Sequence, residues 1–169
     1  MKYNLRKATL ISYIVACIMG VLLHFAYDWS GKNFLLGLFV PVNESTWEHL
    51  KLVFFPILIM SLVEYYYFNV QHEDFICVKF RSALIGMLAT VVLFYTYKGV
   101  LGRNIDFINI TVYFIAMTIA YCYSYKKLKK ESTGTNNANR CFLGFCIFIL
   151  LFAYLTIFPP NIGLFAPPA

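Results

Sequence analysis

Histidine and carboxylate side chains occur at two places where a long apolar run meets a polar segment. The first apolar run ends with His24 and Asp28, which are four residues apart and therefore share one face of a helix. The second begins with Glu44, Glu48 and His49. Imidazole and carboxylate groups are the usual ligands of a catalytic zinc ion. The candidate ligands of a divalent metal ion are His24, Asp28, Glu48 and His49, with Glu44 as a base acting on metal-bound water.

Residues 41–51 form the densest polar stretch between two long apolar runs. Ser45 followed three residues later by Glu48 predicts a capping box at the start of a helix. A plainer interpretation is a well-capped helix with a Trp–Lys anchor at the membrane interface. A cap needs only one or two polar groups, however, so the excess predicts a pocket. Its candidate residues are His24, Asp28, Ser30, Asn43, Glu44, Glu48 and His49, with Asp106 or Asn109 closing it.

The composition is that of an integral membrane protein. Of the 169 residues, 60% are hydrophobic and 13% are charged, whereas soluble domains carry about 25% charged residues. We predict one all-α domain over residues 1–169, a bundle of five transmembrane helices. The predicted spans are residues 8–27, 46–70, 75–97, 105–125 and 141–158. Residues 34–41 are apolar but too short to cross, so they predict a re-entrant or interfacial segment.

The charge pattern predicts the orientation. Ten of the 14 basic residues fall on the side of the N-terminus and four on the other side. Because cytoplasmic segments carry the excess of Lys and Arg, we expect a cytoplasmic N-terminus and an extracytoplasmic C-terminus. The charges flank apolar runs, so no nucleic acid partner is indicated.

Glu64 lies within the second span, where an ionised group needs a partner. The third span carries Lys79 and Arg81 near its start, at the same predicted depth. We predict a structural Glu64–Arg81 ion pair, with Lys79 as the other residue within reach. The five cysteines lie in or at the ends of apolar runs without a CxxC pair, so we interpret them as buried thiols.

The chain resembles a family of small membrane proteins on the residues of its polar stretches. These are His24-x-x-Tyr27-Asp28-x-Ser30, Pro41-Val42-Asn43-Glu44-Ser45-x-Trp47-Glu48-His49-Leu50-Lys51 and Phe54-Phe55-Pro56. The family is uncharacterised and occurs in Gram-positive, Clostridia-type bacteria. The resemblance covers most of the chain and implies a bacterial plasma membrane, but it implies no reaction.

Three functions are compatible with the sequence. The first is a non-enzymatic protein whose extracytoplasmic pocket binds a small ligand, a lipid headgroup or a partner. The second is a membrane-embedded, metal-dependent hydrolase, although no HExxH motif is present. The third is a transporter or proton-coupled carrier, for which five spans without an internal repeat are a poor basis. The lipid bilayer is the expected partner in each case, and the oligomeric state is left open.

Overall fold

The computed structural model describes residues 4–67, 74–130 and 138–167. These ranges contain six helices and no strand, which confirms the predicted all-α fold. The helices are α1 (Leu5–Trp29), α2 (Phe34–Gly37), α3 (Thr46–Tyr67), α4 (Phe75–Leu101), α5 (Asp106–Leu128) and α6 (Ala138–Ile157). All except α2 are long and apolar enough to cross a membrane, so this is a multi-pass membrane protein. Residues 68–70 of the second predicted span lie outside the described residues.

Helix α3 lies at the centre of the bundle. It packs between α1 and α4, while α5 packs against both α1 and α4, and α6 packs mainly against α4. Gly86 permits a close approach of three helices, because a Cβ there would lie 2.8 Å from Val53 of α3 and 3.1 Å from Ala120 of α5. The consequence is a tightly packed centre, in which the Ser82 hydroxyl of α4 donates to the Ala120 carbonyl of α5 at 2.7 Å.

A buried lysine holds the segment between α1 and α3 against the bundle. The Nζ atom of Lys51 donates to the backbone carbonyls of Gly37 at 2.9 Å and Val40 at 3.2 Å. It also lies 2.7 Å from Glu48 Oε2 and 2.7 Å from Thr156 Oγ1 of α6. Both Lys51 and Glu48 are buried. We call these five residues the Lys51 cluster, and it determines the path of the chain that leads into α3.

The opposite end of the bundle contains a second buried ion pair. Lys79 Nζ lies 2.5 Å from Glu64 Oε1, and it also faces the rings of Phe75 and Tyr121 at 5.4 and 5.3 Å. The predicted Glu64–Arg81 pair is therefore wrong, because Arg81 is exposed, whereas the alternative partner Lys79 is confirmed. Two residues turn a helix by about 200°, which places Arg81 on the side of α4 away from Glu64.

Two of the five cysteines form a disulfide. Cys77 of α4 and Cys141 of α6 are joined with a Cα–Cα distance of 5.0 Å, although they are 64 residues apart in the sequence. The interpretation of all five cysteines as thiols is therefore wrong for this pair. No local spacing indicates the bond, because it depends on the packing of α6 against α4.

Candidate functional site

The candidate site lies at the end of the bundle where α1 ends and α3 and α5 begin. The turn before α3 is built by local hydrogen bonds. Asn43 Oδ1 accepts from the Ser45 backbone N–H at 2.8 Å, and Ser45 Oγ accepts from the Glu48 backbone N–H at 3.4 Å. The second of these is the predicted N-cap contact. These bonds start the helix at Thr46 and leave Glu44 just outside it, five residues before His49.

His49 is oriented by the backbone. Its Nδ1 lies 2.9 Å from the carbonyl oxygen of Ser45. A carbonyl only accepts, so Nδ1 carries the hydrogen of this bond. Nε2 then points toward the Glu44 carboxylate, 3.4 Å from Oε2. A protonated Nε2 donates to this carboxylate, and a metal ion bound to the Nε2 lone pair can take the place of that proton.

His24 completes the cluster from α1. Its ring centroid lies 5.2 Å from that of His49. The His24 Nδ1 atom is buried and has no hydrogen-bond partner in the described part of the chain. One ligand atom from each of His24, Glu44 and His49 lies within 4.8 Å of the others. Two of the four predicted metal ligands, His24 and His49, are therefore brought together by the fold.

The predicted ligand Glu48 points elsewhere. Its Oε2 accepts from the Val42 backbone N–H at 3.0 Å and from Lys51, and its Oε1 accepts from Thr156 at 2.8 Å. Adjacent residues on a helix are rotated by about 100°, so Glu48 and His49 face different neighbours. Glu48 belongs to the Lys51 cluster, and Glu44, predicted as a base, occupies the carboxylate position beside the histidines.

The remaining predicted pocket residues shape the loop. Ser30 Oγ donates to the Tyr27 carbonyl at 2.7 Å and accepts from the Asn33 backbone N–H at 3.2 Å. Asp28 is exposed and is not part of the three-residue cluster. Asn43 serves as the local acceptor described above. The Ser30 and Asn43 side chains therefore hold the segment between α1 and α3 and contribute no ligand atom to the cluster.

A cavity of about 550 Å³ lies beside the three residues. Besides His24, Glu44 and His49 it is lined by Asp106 and Asn109 of α5, the two residues expected to close the pocket. Its wall also includes Tyr113 and Asn104, which sequence reasoning missed. Tyr113 is one of 13 tyrosines in the chain, and no spacing distinguishes it from the others. The place of Tyr113 in the wall is set by tertiary packing, which puts its hydroxyl opposite Gly20 of α1.

The electrostatics of the cluster favour a cation. The contact with the His49 imidazole holds the pKa of the Glu44 carboxyl below its ordinary value, although partial burial opposes this shift. Glu44 is therefore ionised at neutral pH. Two imidazole nitrogens and one carboxylate oxygen are the donor set of a three-ligand zinc site. Ligands at about 2.0–2.1 Å from a tetrahedral zinc ion are separated by roughly 3.4 Å, close to the Glu44–His49 distance.

A family model described as a family of unknown function (DUF6512) matches residues 1–168. The chain belongs to this family. No curated protein and no solved structure matches the chain. Membership agrees with the expectation of an uncharacterised family, and it assigns no activity to the cluster of His24, Glu44 and His49.

Proposed function

We propose that this protein binds a divalent metal ion, zinc by its donor set, through His24, Glu44 and His49. The observation that supports this is the convergence of three ligand atoms within 4.8 Å, contributed by two helices and the turn between them. The hydrogen bond from His49 to the Ser45 carbonyl adds support. Metal-bound histidines commonly donate their other N–H to such an acceptor, which orients the ring.

The role of the site, in this proposal, is to bind a small molecule or a lipid headgroup in the adjacent cavity. Three protein ligands leave one position of a tetrahedral zinc ion for an outside group. The cavity reaches the cluster, because His24, Glu44 and His49 all contribute to its wall. A polar group of a ligand can therefore reach the metal ion while the rest of the ligand occupies the cavity.

A second candidate is the metal-dependent hydrolase. The observation that favours it is Asp106, an exposed carboxylate in the wall of the same cavity. If Glu44 is a metal ligand, Asp106 takes the role of the base that accepts a proton from metal-bound water. Loss of hydrolysis in Asp106→Asn with unchanged zinc content would support an enzyme, whereas unchanged ligand binding and no turnover would support the binding function.

The orientation of the site belongs to the same proposal. We place the N-terminus in the cytoplasm, so that the metal site faces the outside of a bacterial plasma membrane. We also propose that residues 1–169 form one transmembrane domain. The excess of basic residues on the N-terminal side supports this. Lys51 and Lys79 are buried in the bundle and do not count as loop charges. Leaving them out lowers the count by one on each side, so the excess of basic residues on the N-terminal side remains.

Metal analysis of the detergent-purified protein tests the metal site directly. We expect about one zinc ion per chain in the wild type and its loss in His49→Ala and Glu44→Gln. His72→Ala is the matched control, because it removes the third histidine of the chain. Gel filtration and circular dichroism identify any variant that fails to fold. A wild type that gains no zinc when it is supplied would refute the proposal and would leave His49 and Glu44 as an ion pair.

A further inference from the structure

One part of the wall of the cavity beside His24, Glu44 and His49 is apolar and exposed. Its wall includes Val21 and Phe25 of α1 and Ile110 of α5, whose side chains are 40%, 46% and 55% exposed. All three lie in helices that are long and apolar enough to span a membrane, so we expect their exposed surfaces to face acyl chains in a bilayer. An apolar, lipid-facing rim of this kind leads sideways between α1 and α5 to the cluster of His24, Glu44 and His49.

The opening between α1 and α5 has a defined floor. The Tyr113 hydroxyl of α5 donates to the carbonyl oxygens of Cys17 at 3.1 Å and Ala16 at 3.3 Å in α1. Gly20 makes room for this contact, because a Cβ there would collide with the Tyr113 side chain. On α1 the wall of the cavity extends from Gly20 to Phe25, over which the helix rises about 7.5 Å. This is about half the thickness of one leaflet of the hydrocarbon core, which is about 15 Å.

We propose that the ligand of the site is a phospholipid, which enters from the leaflet on the His24 side between α1 and α5. Its phosphate oxygen binds the metal ion, and its acyl chains remain against the rim formed by Val21, Phe25 and Ile110. This inference depends on the proposed metal site. Glu44 and Asp106 supply two negative charges to the cavity wall, so an anionic phosphate requires the metal ion for favourable binding.

Native mass spectrometry of the zinc-loaded protein, with phosphatidylglycerol as the probe, tests the proposal. Ile110→Trp fills the opening, whereas Ile115→Trp changes an exposed isoleucine of α5 that does not line the cavity. We expect Ile110→Trp to lower the affinity for phosphatidylglycerol about tenfold, the effect of exposing about two methylene groups. Ile115→Trp should bind like the wild type, and both variants should retain zinc.

Further measurements distinguish a failure of the lipid proposal from a failure of the metal site. Equal binding of glycerol phosphate and phosphatidylglycerol, or no effect of Ile110→Trp, would overturn the lipid proposal while zinc content stays unchanged. Lipid binding that is independent of zinc would overturn the link between the phosphate and the metal ion. Loss of lipid when zinc is removed with a chelator, and its recovery when zinc is returned, is the expected result.

Discussion

Replacement of Lys51 by Met removes the ammonium group at the centre of the Lys51 cluster and keeps an unbranched side chain. Lys51 is fully buried, and its Nζ donates to two carbonyls of the segment before α3 and to the side chains of Glu48 and Thr156. The substitution leaves those carbonyls and the Glu48 carboxylate without this donor. We expect the bundle to lose stability and the chain before α3 to shift.

The size of the loss follows from the burial of the pair. Breaking a buried ion pair by removing one partner costs about 3–5 kcal/mol, because the other charge stays buried. Glu48 keeps the Val42 N–H and the Thr156 hydroxyl as donors, so we expect the lower end of this range, about 3 kcal/mol. Adding Glu48→Gln removes the buried charge and should restore about 1–3 kcal/mol of the loss.

The free energy of unfolding can be measured by titration with SDS in mixed micelles. Lys127→Met, an exposed lysine of α5, is the control and should change stability by less than about 0.5 kcal/mol. We also expect Lys51→Met to weaken zinc binding, because Glu44 lies on the chain that the cluster holds. The reasoning is refuted if Lys51→Met is as stable as the control, or if the double variant is less stable than Lys51→Met alone.

Three further predictions follow from the opposite end of the bundle, the metal site and the proposed orientation. Lys79→Met should cost about 3–5 kcal/mol in the same SDS titration and Arg81→Met less than about 0.5 kcal/mol, and equal losses would contradict the Glu64–Lys79 pairing. Zinc affinity, measured by calorimetry, should fall as the pH is lowered from neutral, because protons compete for the histidines. Because the pKa of Glu44 is lowered, its carboxylate stays ionised at a pH where an ordinary carboxyl group is protonated, and its contribution to zinc affinity is lost only below that pH. Unchanged zinc affinity in mild acid would argue against histidine ligands. With the N-terminus in the cytoplasm, Cys77 and Cys141 lie at the cytoplasmic face, where thiols are kept reduced. The Cys77–Cys141 disulfide therefore tests the proposed orientation: a bond that alkylation finds intact in living cells would favour the opposite orientation, and a bond that is absent in living cells would favour the cytoplasmic N-terminus.

The sequence by itself determined the five long helices and the meeting of His24 with His49. Length and hydropathy are sufficient for the helices, because a bilayer demands about 20 apolar residues per span. The two histidines end one helix and begin the next long one, and consecutive elements usually lie side by side. The contribution of α5 to the pocket was also expected, from the depth of Asp106 and Asn109.

Only the tertiary structure decided which charged side chains face each other. Glu44 lies beside the histidines because the turn before α3 directs it there. Glu48 contacts Lys51 on a different face of α3 from the one that carries His49. Lys79 rather than Arg81 meets Glu64 for the same kind of reason. Helices α3 and α4 are apolar on nearly every side, so their sequences carry almost no signal for the rotation of the helix about its axis. The packing of neighbouring helices sets that rotation, and with it the choice of partners.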